Sequence, residues 1–286
     1  MLVFLGSLVL SLPCYADAAI QRDSSRSATP AEQIQTEHWH VSLSLGLGVM
    51  TNPLNGGSNL PLVVVPEIAY YGEQWFFDNG RLGYSFHESA QHVFNLVSEF
   101  NPETRFFVDL HPSNIFALQS SVSSTVDLTT ELDISNKFIS TKEIDKRKWA
   151  LDAGLSYHYI NEQHVFSVQT LADISGVYKG YRSALQWQAH QQVGSMHLKS
   201  SLGVWFKSAQ LNDYFYGLSA AETQLEEIQV GSGWQPYAKI DARWPLSNAN
   251  ALRFHLAYYD YSAVKDSPLF EHTYSVTVFI GFDHIF

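Results

Sequence analysis

The chain has 286 residues, of which 45% are hydrophobic, 14% aromatic and 16% charged, with a formal net charge of −11. The charged fraction lies below the roughly 25% usual in soluble globular proteins, and the acidic balance argues against a nucleic-acid binder and against a basic protein of the membrane surface. After residue 15 no run approaches the roughly 18 apolar residues of a spanning helix, so this chain crosses a membrane only as a closed barrel, whose strands satisfy all their backbone groups.

The chain begins with an apolar run, Leu2 to Pro13, followed by Cys14-Tyr15-Ala16-Asp17-Ala18. The run is too short to span a bilayer, and Ala16 and Ala18 offer an A-x-A-like cleavage site. Residues 1–18 therefore read as a signal peptide, although no Lys or Arg precedes the run. Its removal takes away Cys14, the only cysteine, so the mature chain forms no internal disulfide. Residues 19–37 are polar and aperiodic and read as a disordered periplasmic leader.

From residue 38 the pattern becomes period two. Trp39, Val41, Leu43, Leu45, Leu47 and Val49 alternate with His40, Ser42, Ser44, Gly46 and Gly48. The same alternation returns at Trp149–Tyr159, Met196–Phe206, Trp234–Trp244 and Leu252–Tyr258. The predicted strands are 38–50, 60–71, 73–78, 81–88, 91–100, 148–160, 163–174, 179–190, 194–207, 232–245, 250–261 and 272–286. Asp78-Asn79-Gly80 supplies the turn between the third and fourth. If residues 73–88 were one bent strand, the total would fall to ten or eleven. Pro66 removes a ladder donor inside the second strand, which predicts a bulge there.

Two features distinguish a lipid-facing barrel from a soluble sandwich. Trp234 and Trp244 share a face ten residues apart, which a tilted strand converts to roughly 25 Å along the membrane normal, the height between two aromatic girdles. Connections also alternate between tight, as at 160–163 and 246–250, and long, at 101–147, 208–231 and 262–270. The expected fold is thus an all-β, antiparallel transmembrane β-barrel of about twelve strands spanning 38–286, set in the lipid of a cell outer membrane. An even count places both termini in the periplasm and the long loops outside. The last strand alternates Tyr274, Val276, Val278, Ile280, Phe282, His284 and Phe286. Phe282 and the terminal Phe286 resemble the signal read by the barrel assembly machinery, and His284 departs from it.

Three segments carry a family resemblance. Asp213 to Thr223 (DYFYGLSAAET) is similar to the YYG-(V/L)-S-x-x-E segment of the MipA/OmpV family, the MltA-interacting proteins of Gram-negative outer membranes. Residues 52–86 resemble its N-terminal strand pair and the following Leu-Gly-Tyr, and residues 172–185 its Asp-x-Ser-Gly…Gly segment. The likeness covers most of 38–286, but region 101–147 shows no family pattern. The resemblance implies a scaffold, a barrel that brings a murein lytic transglycosylase together with a bifunctional penicillin-binding synthase. Other members are porin-like or adhesin-like surface barrels.

Candidate chemistry is sparse. His87-Glu88-Ser89 could place a base beside a hydroxyl, but spacing alone also fits a polar turn, and no catalytic role is assigned. His40, His158, His197 and His255 fall on the predicted inner face without metal-ligand spacing, so no metal or cofactor is expected. Inward Glu67, Asp152, Asp173, Lys199, Lys207, Lys239, Asp241, Arg243 and Arg253 either pair across the lumen or line a narrow solute path. In loop 208–231, Tyr214, Phe215, Tyr216 and Gly217 are the candidate interaction surface, or else a cap on the barrel mouth. Replacement of Phe286 by Ala is expected to impair outer-membrane insertion; the fraction of heat-modifiable protein in membranes measures it, and normal insertion refutes the signal.

Overall fold

The computed structural model describes residues 37–107, 114, 139–223 and 226–286. The expected signal peptide at 1–18, the leader at 19–36 and much of loop 101–147 lie outside the described residues. Twelve strands follow in chain order: β1 (Trp39–Met50), β2 (Leu60–Tyr71), β3 (Trp75–Asp78), β4 (Arg81–Glu88), β5 (His92–Phe100), β6 (Leu151–Asn161). They continue with β7 (His164–Asp173), β8 (Tyr181–Val193), β9 (Met196–Lys207), β10 (Gly233–Pro245), β11 (Asn250–Asp260) and β12 (Tyr274–Ile285). Each pairs antiparallel with its sequence neighbour, and β12 returns to β1, closing the barrel. The structure thus has the twelve strands that the alternation predicts, with the short β3 as a separate strand.

Outward residues are the apolar set of each alternation. Leu45, Leu47, Leu155, Leu202, Ile240, Val278 and Ile280 are all exposed, a surface that only lipid makes favourable. Aromatic rings cluster at both rims. Trp39 meets Tyr70 at 5.1 Å and Trp75 meets Tyr84 at 4.7 Å toward the short-turn end. Phe206 meets Trp234 at 5.0 Å and Tyr258 meets Tyr274 at 6.1 Å toward the long-loop end.

Tight turns follow their residue chemistry. Asn79 (φ 49°) and Gly80 (φ 89°) both occupy the left-handed region that a two-residue hairpin needs. Asn79 also binds β2, its N–H donating to Ile68 O (2.9 Å) and its Oδ1 accepting from Ile68 N–H (2.8 Å). That bond explains why Pro66 sits in register opposite Leu43 without a bulge. Residues two apart direct their N–H to the same side, so the donor that Pro66 lacks would face past the end of β3. The irregularity lies instead between Leu45 and Gly48, opposite Val64 and Leu62.

Closure depends on small residues where β1 meets β12. A side chain at Gly46 would place Cβ 2.2 Å from Ile280 O, and one at Gly48 2.5 Å from Val278 O. At the end of the seam Phe286 N–H donates to Val41 O (3.0 Å), while the Phe286 ring is exposed. His284 is tied by Nδ1 to Asn250 Oδ1 at 2.7 Å, which gives a polar residue a partner at that rim position. Gly46→Val is expected to force the β1–β12 seam apart at a cost of at least about 1–3 kcal/mol. A lowered temperature for loss of the folded band on unheated gels would register it, and an unchanged transition would refute the seam argument.

Candidate functional site

The barrel interior is built from the polar half of the alternation, joined by ion pairs that cross the lumen. Arg253 on β11 pairs with Glu67 on β2 and lies 3.6 Å from Asp241, whose Oδ1 is 2.8 Å from His255 Nδ1. On the other side Arg182 on β8 donates to Asp152 (2.7 Å) and to Glu99 on β5 (2.6 Å), and Arg81 on β4 lies 3.4 Å from Glu99. Arg243 donates to Asp283 at 2.5 Å. Of these, Arg253–Glu67, Arg182–Asp152, Arg182–Glu99 and Arg243–Asp283 hold non-adjacent strands together, and the rest join neighbours. A polar chamber of about 650 Å³ remains among them, extending from Pro102 and Tyr261 to Val165 and His190.

The long-loop end is closed by a packed apolar cap. Its centre is helix α1 (Ala209–Tyr216), whose N-cap Ser208 accepts from Leu211 N–H and whose Leu211, Asn212, Phe215 and Tyr216 are buried. This spacing puts one helical face downward. Around it pack Leu54, Phe106, Leu218, Val264, Leu269 and Phe270. Tyr216 stands 4.9 Å from the Phe270 ring and 6.2 Å from the Tyr261 ring. Beneath it a 3₁₀ turn, Pro102–Phe106, begins where Asn101 Oδ1 accepts from Glu103 N–H. Glu103 takes a 2.7 Å hydrogen bond from Lys207 Nζ and another from the Tyr216 hydroxyl. Burial opposes the Glu103 charge, but Lys207, Arg105 and these hydrogen bonds outweigh it and hold the carboxyl below its ordinary value. Burial beside that carboxylate pushes the Tyr216 hydroxyl well up, so it remains a donor.

The segments that carry the family resemblance hold the loops in place. Ser219 and Glu222 form a capping box for α2 (Ala220–Thr223): Ser219 N–H donates to Glu222 Oε2 (2.8 Å) and Glu222 N–H to Ser219 Oγ (3.3 Å). Glu222 also receives Arg147 Nη1 at 2.9 Å. Gly217 passes so close to Asp213 that a Cβ would lie 2.4 Å from its carbonyl oxygen. Asp213 Oδ1 in turn accepts from Val230 and Gly231 N–H at 2.7 and 2.8 Å. Asp173 does not join the lumen pairs expected for it. Its carboxylate accepts from the N–H groups of Ser175, Gly176, Tyr178 and Lys179 and so shapes the β7–β8 loop.

Of the interaction candidates, Phe215 and Tyr216 are fully buried, Gly217 closes the helix, and Tyr214 is half-buried with its hydroxyl accepting from Lys148 N–H. Phe282 and Phe286 both face outward. The Ser89 hydroxyl donates to His92 O (3.2 Å) and accepts from His92 N–H, within the β4–β5 turn, while the His87 ring packs on Phe94. His158 Nδ1 lies 2.8 Å from Ser167 Oγ. Glu103 and Arg105 were not singled out by sequence. Their only local signal is Asn101-Pro102, a helix start in a region without strand periodicity.

Glu103 gives the cap a pH dependence. Its lowered folded-state value adds stability that is present above the ordinary carboxylate range, about 4.3, and lost as pH falls through the lowered value. Protease cleavage within 208–231 is expected to rise only below about pH 4. Glu103→Gln, which leaves Lys207 buried without its carboxylate, is expected to cost about 3–5 kcal/mol and remove that acid transition. Cleavage that ignores both pH and the substitution would refute the assignment.

Comparison with known proteins accords with this geometry. The family model described as MltA-interacting protein MipA matches residues 45–286. The putative outer membrane protein YiaT of Escherichia coli K12 is 22% identical over 245 residues, 84% of this chain and 89% of its own. The MltA-interacting protein of the same organism is 21% identical over 249 residues, 86% of this chain and 90% of its own. Among solved structures the NanC porin aligns with a TM-score of 0.40 at 8% identity, covering 86% of this chain and 98% of its own. The chain is an outer-membrane β-barrel and belongs to the MltA-interacting protein MipA family.

Proposed function

We propose that this barrel is a non-conducting scaffold of the cell envelope, with its capped end outside and its short turns in the periplasm. The reading has it gather a murein lytic transglycosylase and a penicillin-binding synthase. The observation that carries it is the apolar cap, in which Leu211, Phe215, Leu218 and Leu269 are at most 2% exposed across the mouth. A solute path through that mouth would have to open a packed core. Scaffolding then falls to the opposite end, where the turns at 72–74, 89–91, 162–163, 194–195 and 246–249 lie. The leader 19–37, which joins the barrel at that same end, is the segment we assign to partner contact. Assembly into the membrane is assigned to Phe282 and Phe286 as the signal read by the barrel assembly machinery. One relative is named for interaction with MltA, which supports the same class of partner.

A narrow channel is the second reading, favoured by the polar chamber of about 650 Å³ below the cap. Two measurements separate them. The mature protein is expected to retain purified murein transglycosylase, with retention lost on deletion of 19–37, and to show no steady conductance in planar bilayers. Steady single-channel steps without transglycosylase retention would replace the scaffold with the channel.

A further inference from the structure

The wall of this barrel is not of one height. β3 has four residues and β4 eight, against twelve in β2. Asn79, at the turn between them, comes only four positions after Trp75, whose ring packs on Tyr84 in the short-turn girdle. At about 2.5 Å of height per residue of a tilted strand, the turn stands about 10 Å above that girdle, within the roughly 25 Å apolar band. β2 continues past it. The last β3 pair is Ala69 opposite Asp78, and Asn79 bonds Ile68, so residues 60–67 have no strand beside them on that side among the described residues. Across the gap β4 pairs with β5 only as far as Glu99, opposite Arg81, and β5 ends one residue later at Phe100. The long-loop half of the wall thus lacks two strands, a window about 10 Å wide.

The exposed edge of β2 is not built to recruit a strand. Pro66, and Pro61 further along, have no N–H, and proline on an open edge discourages strand addition. Val63 and Val64 beside them are 50% and 56% exposed. By the same alternation that turns Ile68 toward Asn79, Val64 N–H and the Val64 and Pro66 carbonyls face the window, where they have no partner among the described residues. Free backbone groups at membrane depth persist only where they line a water-filled cavity. The lumen chamber is that cavity, since Asn79, Gly80, Arg81, Glu99, Phe100 and Pro102 all line it. One turn therefore borders hydrocarbon on its outer side and the chamber on its inner side.

We propose that this window is a lateral entry from the bilayer leaflet of the long-loop end into the lumen. Its ligand is a single-chain amphiphile with an uncharged polar head, the head in the chamber and the chain left in the leaflet. The head is uncharged because the charges at the window are already matched, Arg81 with Glu99 and Glu67 with Arg253, and a further charge would enter without a counter-charge. The entry leaves the packed cap closed and uses neither the short-turn connections nor the leader, so it stands apart from the scaffold role.

The chain from residue 19 onward has no cysteine, so a thiol introduced there is unique. Ala184 lines the chamber, and Leu185 is 52% exposed on the lipid face. The mature protein carrying Ala184→Cys or Leu185→Cys, folded in lipid vesicles, would be treated with hexadecyl methanethiosulfonate, a neutral single-chain reagent held in the bilayer. Intact mass would count the alkyl disulfide. Ala184→Cys is expected to be modified. A second form completes the wall by inserting Val-Thr-Val-Thr after Asp78 and Thr-Val-Thr-Val after Gly80. In it the rate at Ala184→Cys is expected to fall at least about tenfold, a barrier rise of about 1.4 kcal/mol, while Leu185→Cys reacts as before. Monoolein in the same bilayer is expected to slow the reaction by competition more than oleate or hexadecyltrimethylammonium does. Should the lengthened hairpin fail to fold, as judged by heat-modifiable mobility, amide exchange of the parent protein decides, with Val64 N–H expected to exchange freely and Glu67 N–H slowly. No modification of Ala184→Cys, an undiminished rate in the folded lengthened form, a Val64 amide as protected as that of Glu67, or stronger competition by a charged amphiphile overturns the proposal.

Discussion

Everything in this molecule follows from the need to pair strand backbone where no water is available. In hydrocarbon an unpaired N–H or C=O has no substitute partner, so the sheet must close, and β1 must meet β12 after ten intervening strands. Glycines at 46 and 48 let the two backbones approach at that seam. The outward face of each strand is then fixed as apolar and the inward face is free to be polar. The ring closure therefore sets the stage for both the lumen charges and the cap.

Inside that ring, arginines of β8 and β11 reach carboxylates on strands that are not their neighbours. A chord of this kind ties strands across the lumen as well as around it. Such buried pairs are modest contributors to net stability, but removing one member leaves an unmatched charge in a poorly solvated space. The cap is constructed differently. Phe215, Tyr216 and Leu211 close it by packing, and one polar anchor, Glu103 with Lys207 and Tyr216, fastens the underside of α1 to the wall.

The family-like segments are structural in a specific sense. The Ser219–Glu222 capping box, the close passage of Gly217 and the four N–H groups gathered by Asp173 each fix a loop backbone. A resemblance carried by such residues describes how the loops fold over the barrel. It says less about what a relative touches, which is why shared architecture extends further here than shared partners.

The sequence by itself determined the barrel, because alternation with period two, Asn79-Gly80 at a hairpin and the uneven connection lengths are local patterns that lipid and water each select. It also determined which face of each strand is inside, and so identified Arg253, Asp241 and Lys207 as lumenal. It did not determine their partners. Glu67 meets Arg253 across 186 positions of chain, and Glu103 meets Lys207 across 104. Nor did it decide whether Tyr214, Phe215 and Tyr216 face a partner or the barrel. Aromatic residues suit either place, and only the long-range packing of 208–231 against 261–270 turned Phe215 and Tyr216 inward. Pro66 illustrates the same division: its missing donor was plain in sequence, but whether it mattered depended on how far β3 extends alongside. Local chemistry selects the strand and its faces, and the tertiary structure alone brings distant charges and rings into contact.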